Sequence, residues 1–246
     1  SEMCIRDSLS GGSVYNPSRT DGLRVPLDLN IAFHTDAGHS KTGGTFGTLG
    51  IYMTDFNEGL TAAGEDRYAS RDLASMLLSN LHSDLSKYRW QVRQLWNRNY
   101  GEARAPMSVA CILEMLSHQN FQDMRLAYDP QFKFDFARSV YKTIVKFEAT
   151  QHKRDYAIQP LPVENFHITL NEKKRTATLR WSPTEDPLEP SAKPKSYIVY
   201  TRRGYEDFDN GTVVKGSSYT AELSAGTTYS FRITALNDGG ESFPSE

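Results

Sequence analysis

The chain has 246 residues, 38% hydrophobic and 24% charged, so it is neither a disordered acidic tail nor a fibrous repeat, and its length points to two domains. Twenty-eight Lys and Arg against 30 Asp and Glu leave a net charge of −2, which offers no bulk positive field to nucleic acid or anionic lipid. No uncharged apolar run reaches about 18 residues, which excludes a membrane-spanning helix, and the first residues form no apolar signal core. Two cysteines cannot build a disulfide framework for a chain of this size. Cys111 sits in the apolar stretch Val109-Ala110-Cys111-Ile112-Leu113 and reads as an inert core thiol, while Cys4 lies near the start. Sparse cysteine suits the cytoplasm and exported bacterial proteins alike.

Residues 1–13 are polar and aperiodic and are expected to be a non-native or disordered leader outside the fold. From Leu27 to Phe33 the chain alternates and then turns apolar, a strand entering a core and delivering His34 at its end. A Gly-rich loop follows at Gly43–Gly47; it lacks the Lys-Ser/Thr ending of a phosphate-binding loop. After a short strand at Gly50–Met53, Leu73, Leu77, Leu81 and Leu85 recur every four residues with charges between them, a helix that covers one face of a sheet.

Tyr88, Trp90, Trp96 and Tyr100 are interleaved with Arg89, Arg93, Arg98 and Arg104. With near-zero net charge this pattern is read as one packed and one solvated face rather than a nucleic-acid or sugar surface. Ser108–Leu113 is a continuous apolar run, a strand covered on both faces, and it ends in Glu114. Asp129-Pro130 supplies an N-cap and first-turn proline for a helix whose face is marked by Phe136, Val140, Tyr141, Ile144 and Phe147. Strands alternating with helices predict an α/β domain over residues 14–150, a mostly parallel sheet flanked by helices.

Residues 151–160 have the polar profile of a linker. Beyond them every periodic segment has period two: Asn165–Leu170, Thr176–Trp181, Tyr197–Thr201, Tyr219–Leu223 and Tyr229–Leu236. Short strands separated by Pro, Gly, Asp and Ser clusters predict an all-β immunoglobulin-like sandwich over residues 161–246.

Open parallel sheets bind ligands outside the carboxyl ends of their strands, and His34 and Glu114 both fall at such ends. Two readings stand side by side. The pair is a metal ligand and a general base, or His34 caps a strand while Glu114 pairs with an arginine.

The segment Ile31-Ala32-Phe33-His34-Thr35-Asp36-Ala37-Gly38 resembles the strand-end S-I-H-A-N/D-A motif of the zinc-dependent N-acetylmuramoyl-L-alanine amidases of the amidase 3 family. Ala110-Cys111-Ile112-Leu113-Glu114-Met115-Leu116-Ser117-His118-Gln119-Asn120 is similar to that family's V-L-V-E-x-G-F-x-S-N motif, with Met115-Leu116 in place of G-F. Arg24 stands close to where the family often has an arginine. The resemblance covers roughly Tyr15 to Ala149.

It implies that His34 is a zinc ligand and Glu114 the catalytic carboxylate. The implied reaction is hydrolysis of the amide between N-acetylmuramic acid and the L-alanine of the stem peptide, hence an exported protein of the cell envelope acting on peptidoglycan or another envelope glycan. The family also uses a histidine in a G-H-G-G loop and a glutamate, both upstream of the S-I-H motif, and no histidine precedes His34 here. An amidase-like domain missing its N-terminal part, and therefore inactive or weakly metal-binding, is the expectation.

His39, five residues after His34, belongs to a His-Thr-Asp-Ala-Gly-His run that would present His34, Asp36 and His39 locally, but it is read as a substrate-side or surface residue. His118, Asn120, Asp36 and Arg24 are expected on the substrate side or as outer partners. His82, His152 and His167 receive no role.

From about Pro160 the chain resembles a fibronectin type III domain, through Trp181, Tyr197, Tyr200, Leu223 and the run Thr228 to Asn237, with Tyr229 placed like a tyrosine corner and a last strand expected to be truncated, leaving an unpaired sheet edge. It is read as a spacer or a weak wall-binding module. The alternatives to a hydrolase are a non-catalytic cell-wall or glycan-binding protein and an extracellular polysaccharide-degrading enzyme of lyase type, which would need a Tyr/His/Arg cleft rather than zinc.

Overall fold

The computed structural model describes Leu9, Leu23, Val25, residues 27–61 and residues 64–245. The expected leader at residues 1–13, apart from Leu9, lies outside the described residues, as do Cys4 and Arg24. The chain divides into two compact units, Ser1–Lys153 and Arg154–Glu246. Among the described residues no helix is long and apolar enough to cross a membrane.

The first unit runs β1 (Leu29–Asp36), β2 (Leu49–Tyr52), α1 (Tyr68–Asp84), β3 (Trp96–Asn97), α2 (Gly101–Arg104), β4 (Val109–Ser117), α3 (Phe121–Ala127) and α4 (Pro130–Gln151). Its sheet has the order β1-β4-β2-β3. β1 and β4 are parallel and so are β2 and β3, but β2 runs antiparallel to β4, so the sheet is mixed where a mostly parallel one was expected. The connections explain this. Between β1 and β4 lies α1, long enough for a crossover, whereas β1 and β2 are joined by a Gly-rich loop with no helix, and a chain that cannot cross over must reverse.

Strand parity sorts the two faces. Leu29 and Ile31 of β1 and Val109, Cys111 and Leu113 of β4 point to α1 and α4, where Leu73, Leu77, Leu81, Phe132, Phe136, Val140 and Phe147 complete the main core. Burial pushes the Cys111 thiol up to about 12, so it stays a protonated packing group. Of the basic-aromatic stretch, Tyr88 and Trp90 join this core: their rings lie 5.0 and 4.8 Å from that of Phe132. Pro130 opens α4, and the Asp129 carboxylate caps it by accepting from Gln131 N at 2.9 Å.

The other face is thinly covered. Ala32 and Ile112 pack there with Leu49, Ile51, Met53 and Ala103 of the one-turn helix α2. By the same parity His34 and Glu114 belong to this thin face. Both lie within their strands rather than at the ends, because β1 continues to Asp36 and β4 to Ser117.

The second unit is a sandwich of two sheets, one ordered β5-β6-β9 and the other β11-β10-β7-β8. Its strands are β5 (Glu164–Asn171), β6 (Thr176–Ser182), β7 (Ser196–Arg203), β8 (Thr212–Val214), β9 (Ser218–Glu222), β10 (Tyr229–Asn237) and β11 (Gly240–Glu241). Inward residues of both sheets, Leu179, Trp181, Tyr197, Val199, Ile233 and Ala235, form its core, with the Trp181 and Tyr197 rings edge to face at 5.3 Å. The Tyr229 hydroxyl accepts from Ser224 N at 3.1 Å, the bond a tyrosine corner makes. The edge of β10 is not left open: Ser242 N and Ser245 N donate to Ala235 O and Ile233 O, each at 2.8 Å.

Candidate active site

His34 and Glu114 are direct register partners on the parallel strands β1 and β4. In-register neighbours project to the same face. Their side chains therefore meet, with His34 Nδ1 3.9 Å from Glu114 Oε1. The other ring nitrogen, Nε2, lies 3.3 Å from Glu102 Oε1. The imidazole thus stands between two carboxylates, and all three side chains are part-buried, from 17% exposed for Glu114 to 33% for His34. On its other side Glu114 has Leu49 of β2 as register partner, a residue only 1% exposed. This apolar neighbour helps explain why desolvation raises the Glu114 carboxyl above the ordinary glutamate range; Asp36 and Glu102 raise it further, while His34 and Arg93 pull it down. Its Oε2 is buried with no hydrogen-bond partner.

Glu102 was not singled out in the sequence. It rides on α2, one turn with no hydrophobic period to announce it. That turn is held from behind by Arg67, 1% exposed, whose Nε donates to Leu60 O at 2.8 Å and whose Nη1 and Nη2 donate to Ala103 O and Arg104 O at 3.4 and 2.8 Å. Burial lowers the Arg67 pKa, and these carbonyls take up its donors. The one sequence signal for Glu102 is its neighbour Ala103, small enough to pack against the sheet and leave the carboxylate beside it facing β1.

The rim at the ends of β1 and β4 is built from the other residues of the two motifs. Asp36 pairs with Arg93 at 2.8 Å, and the Arg93 guanidinium lies 4.1 Å over the Phe46 ring. Asn120 is 5% exposed and committed to the backbone. Its Oδ1 accepts from Ser40 N at 3.0 Å, and its Nδ2 donates to Gly44 O at 3.1 Å and Asp123 Oδ1 at 3.0 Å. The fully buried Asp123 accepts from Phe46 N, Gly47 N and Ser117 N at 2.8, 3.0 and 2.9 Å. Ser117 Oγ accepts from Gly38 N at 2.9 Å and donates to Gly38 O. Ser117, Asn120 and Asp123 are therefore a clamp on the Gly-rich loop, with both ends of the Asn120 amide engaged there. His118 is exposed; its Nδ1 meets Thr35 Oγ1 at 3.2 Å and its N donates to Asp36 O. His39 is exposed in the loop, and Arg24 is outside the described residues.

Three side chains close enough to share one ion occur elsewhere. Among the described residues, Asp28, Glu148 and His152 present ligand atoms within 4.8 Å of one another, whereas His34, Asp36 and His39 form no such group. Nor do His34, Glu102 and Glu114 form such a group, although they bring an imidazole and two carboxylates together on one face.

Residues 161–246 match the family model of the fibronectin type III domain. Solved structures similar to the chain include the twitchin kinase region of C. elegans, 26% identical, covering 36% of this chain and 15% of that one with a TM-score of 0.32. Domains A168–A170 of titin are 26% identical, covering 38% of this chain and 32% of that one at a TM-score of 0.33. An N-acetylmuramoyl-L-alanine amidase from Clostridium difficile 630 is 15% identical and covers 51% of this chain and 60% of that one, and its TM-score of 0.39 falls short of a shared overall fold. A curated relative is the mouse (Mus musculus) kainate 1 ionotropic glutamate receptor, 28% identical over 159 residues; the match takes in 64% of this chain but only 18% of the receptor's length.

Proposed function

We propose that the first unit is the amidase 3-type part of a peptidoglycan hydrolase that cleaves the amide between N-acetylmuramic acid and the L-alanine of the stem peptide. The observation that carries this reading is the His34–Glu114 pair. The two motif residues sit far apart in sequence, yet parallel register brings them to 3.9 Å on one partly open face. A pair facing opposite sides would have removed the proposal.

His34 would hold the zinc ion, with Glu102 the carboxylate nearest to its Nε2. A bound zinc supplies Lewis-acid polarisation of the scissile carbonyl and acidifies the attacking water. The chain's own carboxylate does the proton work. Glu114 takes the proton from that water and passes it to the leaving amine, a task for which a carboxyl with raised proton affinity is suited. Leu49 keeps one side of that carboxyl dry. The Asp36–Arg93 pair and the clamped loop fix the rim. The fibronectin type III domain is proposed as a spacer or a weak wall-binding module, in a protein exported to the cell envelope.

The test is release of alanine N-termini from intact sacculi by the protein. Glu114→Gln should lower turnover by roughly 100-fold or more with zinc content near normal, and His34→Ala should lower zinc content. Turnover retained by Glu114→Gln would remove Glu114 from its role. Sacculus binding without amine release by the unaltered protein would favour the non-catalytic glycan-binding reading.

A further inference from the structure

Asp28 immediately precedes β1, at the end of the strand opposite to the one that carries His34. Glu148 and His152 stand one turn apart where α4 ends, the i and i+4 positions of one helix face. A carboxylate oxygen from each acid and a ring nitrogen of the histidine lie within 4.8 Å of one another, and His152 Nε2 is 3.2 Å from Glu148 Oε2. Two donors on one tetrahedral zinc ion, with bonds of about 2.0–2.2 Å, sit roughly 3.3–3.5 Å apart. The His152–Glu148 separation is already of that size, and Asp28 supplies a third donor from a different element.

Charge argues the same way. Two carboxylates this close disfavour each other's charge, and a cation between them would relieve that repulsion. The C-terminal end of a 22-residue helix adds the negative pole of its macrodipole at the same place. One imidazole with two carboxylates is an oxygen- and nitrogen-donor set that suits a divalent first-row ion, and its exposure leaves a solvent-facing position for water.

We propose that Asp28, Glu148 and His152 form a zinc site, separate from His34 and Glu114, that ties the start of β1 to the end of α4. The ion fastens two elements far apart in sequence, so its role is to hold the first unit closed at that edge and not to take part in hydrolysis.

The test is calorimetric titration of the chelator-stripped full chain with zinc chloride at neutral pH. A His34→Ala background silences the other site. His34→Ala should keep a single zinc equivalent. Adding His152→Ala, or independently Asp28→Asn, should weaken that binding by more than the roughly 10–100-fold that losing an outer partner costs. Both added substitutions lie at exposed positions, and circular dichroism in chelator should show the fold retained. A His34→Ala protein that binds no zinc would overturn the proposal, because Asp28, Glu148 and His152 would then lie together without an ion. Equal affinity with and without His152 would overturn it too.

Discussion

The clamp beneath the Gly-rich loop permits a quantitative test. Asp123 is fully buried and accepts four hydrogen bonds, from Phe46 N and Asn120 Nδ2 on Oδ1 and from Gly47 N and Ser117 N on Oδ2. Asp123→Asn keeps the volume, but whichever way its amide turns, two buried donors face an NH2 group in place of an oxygen. A buried donor left without an acceptor costs about 1–3 kcal/mol. Two of them give a loss of about 4 kcal/mol, a large part of the roughly 5–15 kcal/mol that holds a domain folded.

Urea unfolding should show this loss, and amide hydrogen exchange should localise it. Phe46, Gly47 and Ser117 should exchange far faster, whereas Leu179 and Ile233 of the second unit's core should not change. A loss below about 1 kcal/mol, or protection that survives at Phe46 and Gly47, would mean that the carboxylate is not what holds the loop.

Two further outcomes follow from the same region. Gly47 has a φ of +79°, and a Cβ there would fall 1.9 Å from Gln91 O, whose carbonyl is itself fixed by Thr48 N at 3.0 Å; Gly47→Ala should therefore cost more than about 3 kcal/mol, and a melting temperature near that of the parent would refute the clash. Glu114 is raised by burial, so the folded state binds its proton more tightly than the unfolded chain does, and its contribution to stability is present at low pH and is lost as pH climbs from about 4.3 through its raised folded value. Glu114→Gln in metal-free protein should accordingly gain stability relative to the parent as pH rises over that window; parallel stability–pH curves for the two proteins would contradict the shift.

Much of this architecture could be read from residue order. Leu73, Leu77 and Leu81 announce α1 because burying one helical stripe requires that spacing, and the unbroken run at Val109–Leu113 announces β4 because a strand covered on both faces has no polar positions. His34 and Glu114 were legible for a related reason: each closes an apolar strand pattern, and strands joined by a crossover tend to lie parallel. What stayed hidden depends on backbone partners that carry no period. The antiparallel entry of β2 follows from a loop without a helix, Glu102 rides on a single turn, and Asn120 and Asp123 look like surface polar residues until the loop they bind is in place. Asp28 and His152 are separated by nearly the whole first unit, and only the Glu148–His152 spacing left a trace.

The placement of the site on one face of the sheet has its own logic. Against α1 and α4 the sheet is packed by residues with no exposure, such as Leu73, Leu77 and Leu113, and a carboxylate–imidazole group there would lose its water on every side at a cost of several kcal/mol per ion. On the opposite face the cover is thin: α2 is a single turn that sets Ala103 against the sheet and Glu102 beside His34. His34, Glu102 and Glu114 keep 17–33% of their side-chain exposure, enough contact with water to stay polar and enough cover to shift Glu114. That balance depends on two supports outside the pair itself. Arg67 fixes the turn that bears Glu102, and Asp123 fixes the loop at the rim. Loosening either support changes how much water reaches the carboxylates before any change in the carboxylates themselves, so sequence differences at Arg67 or Asp123 should tune proton affinity at Glu114 without touching it.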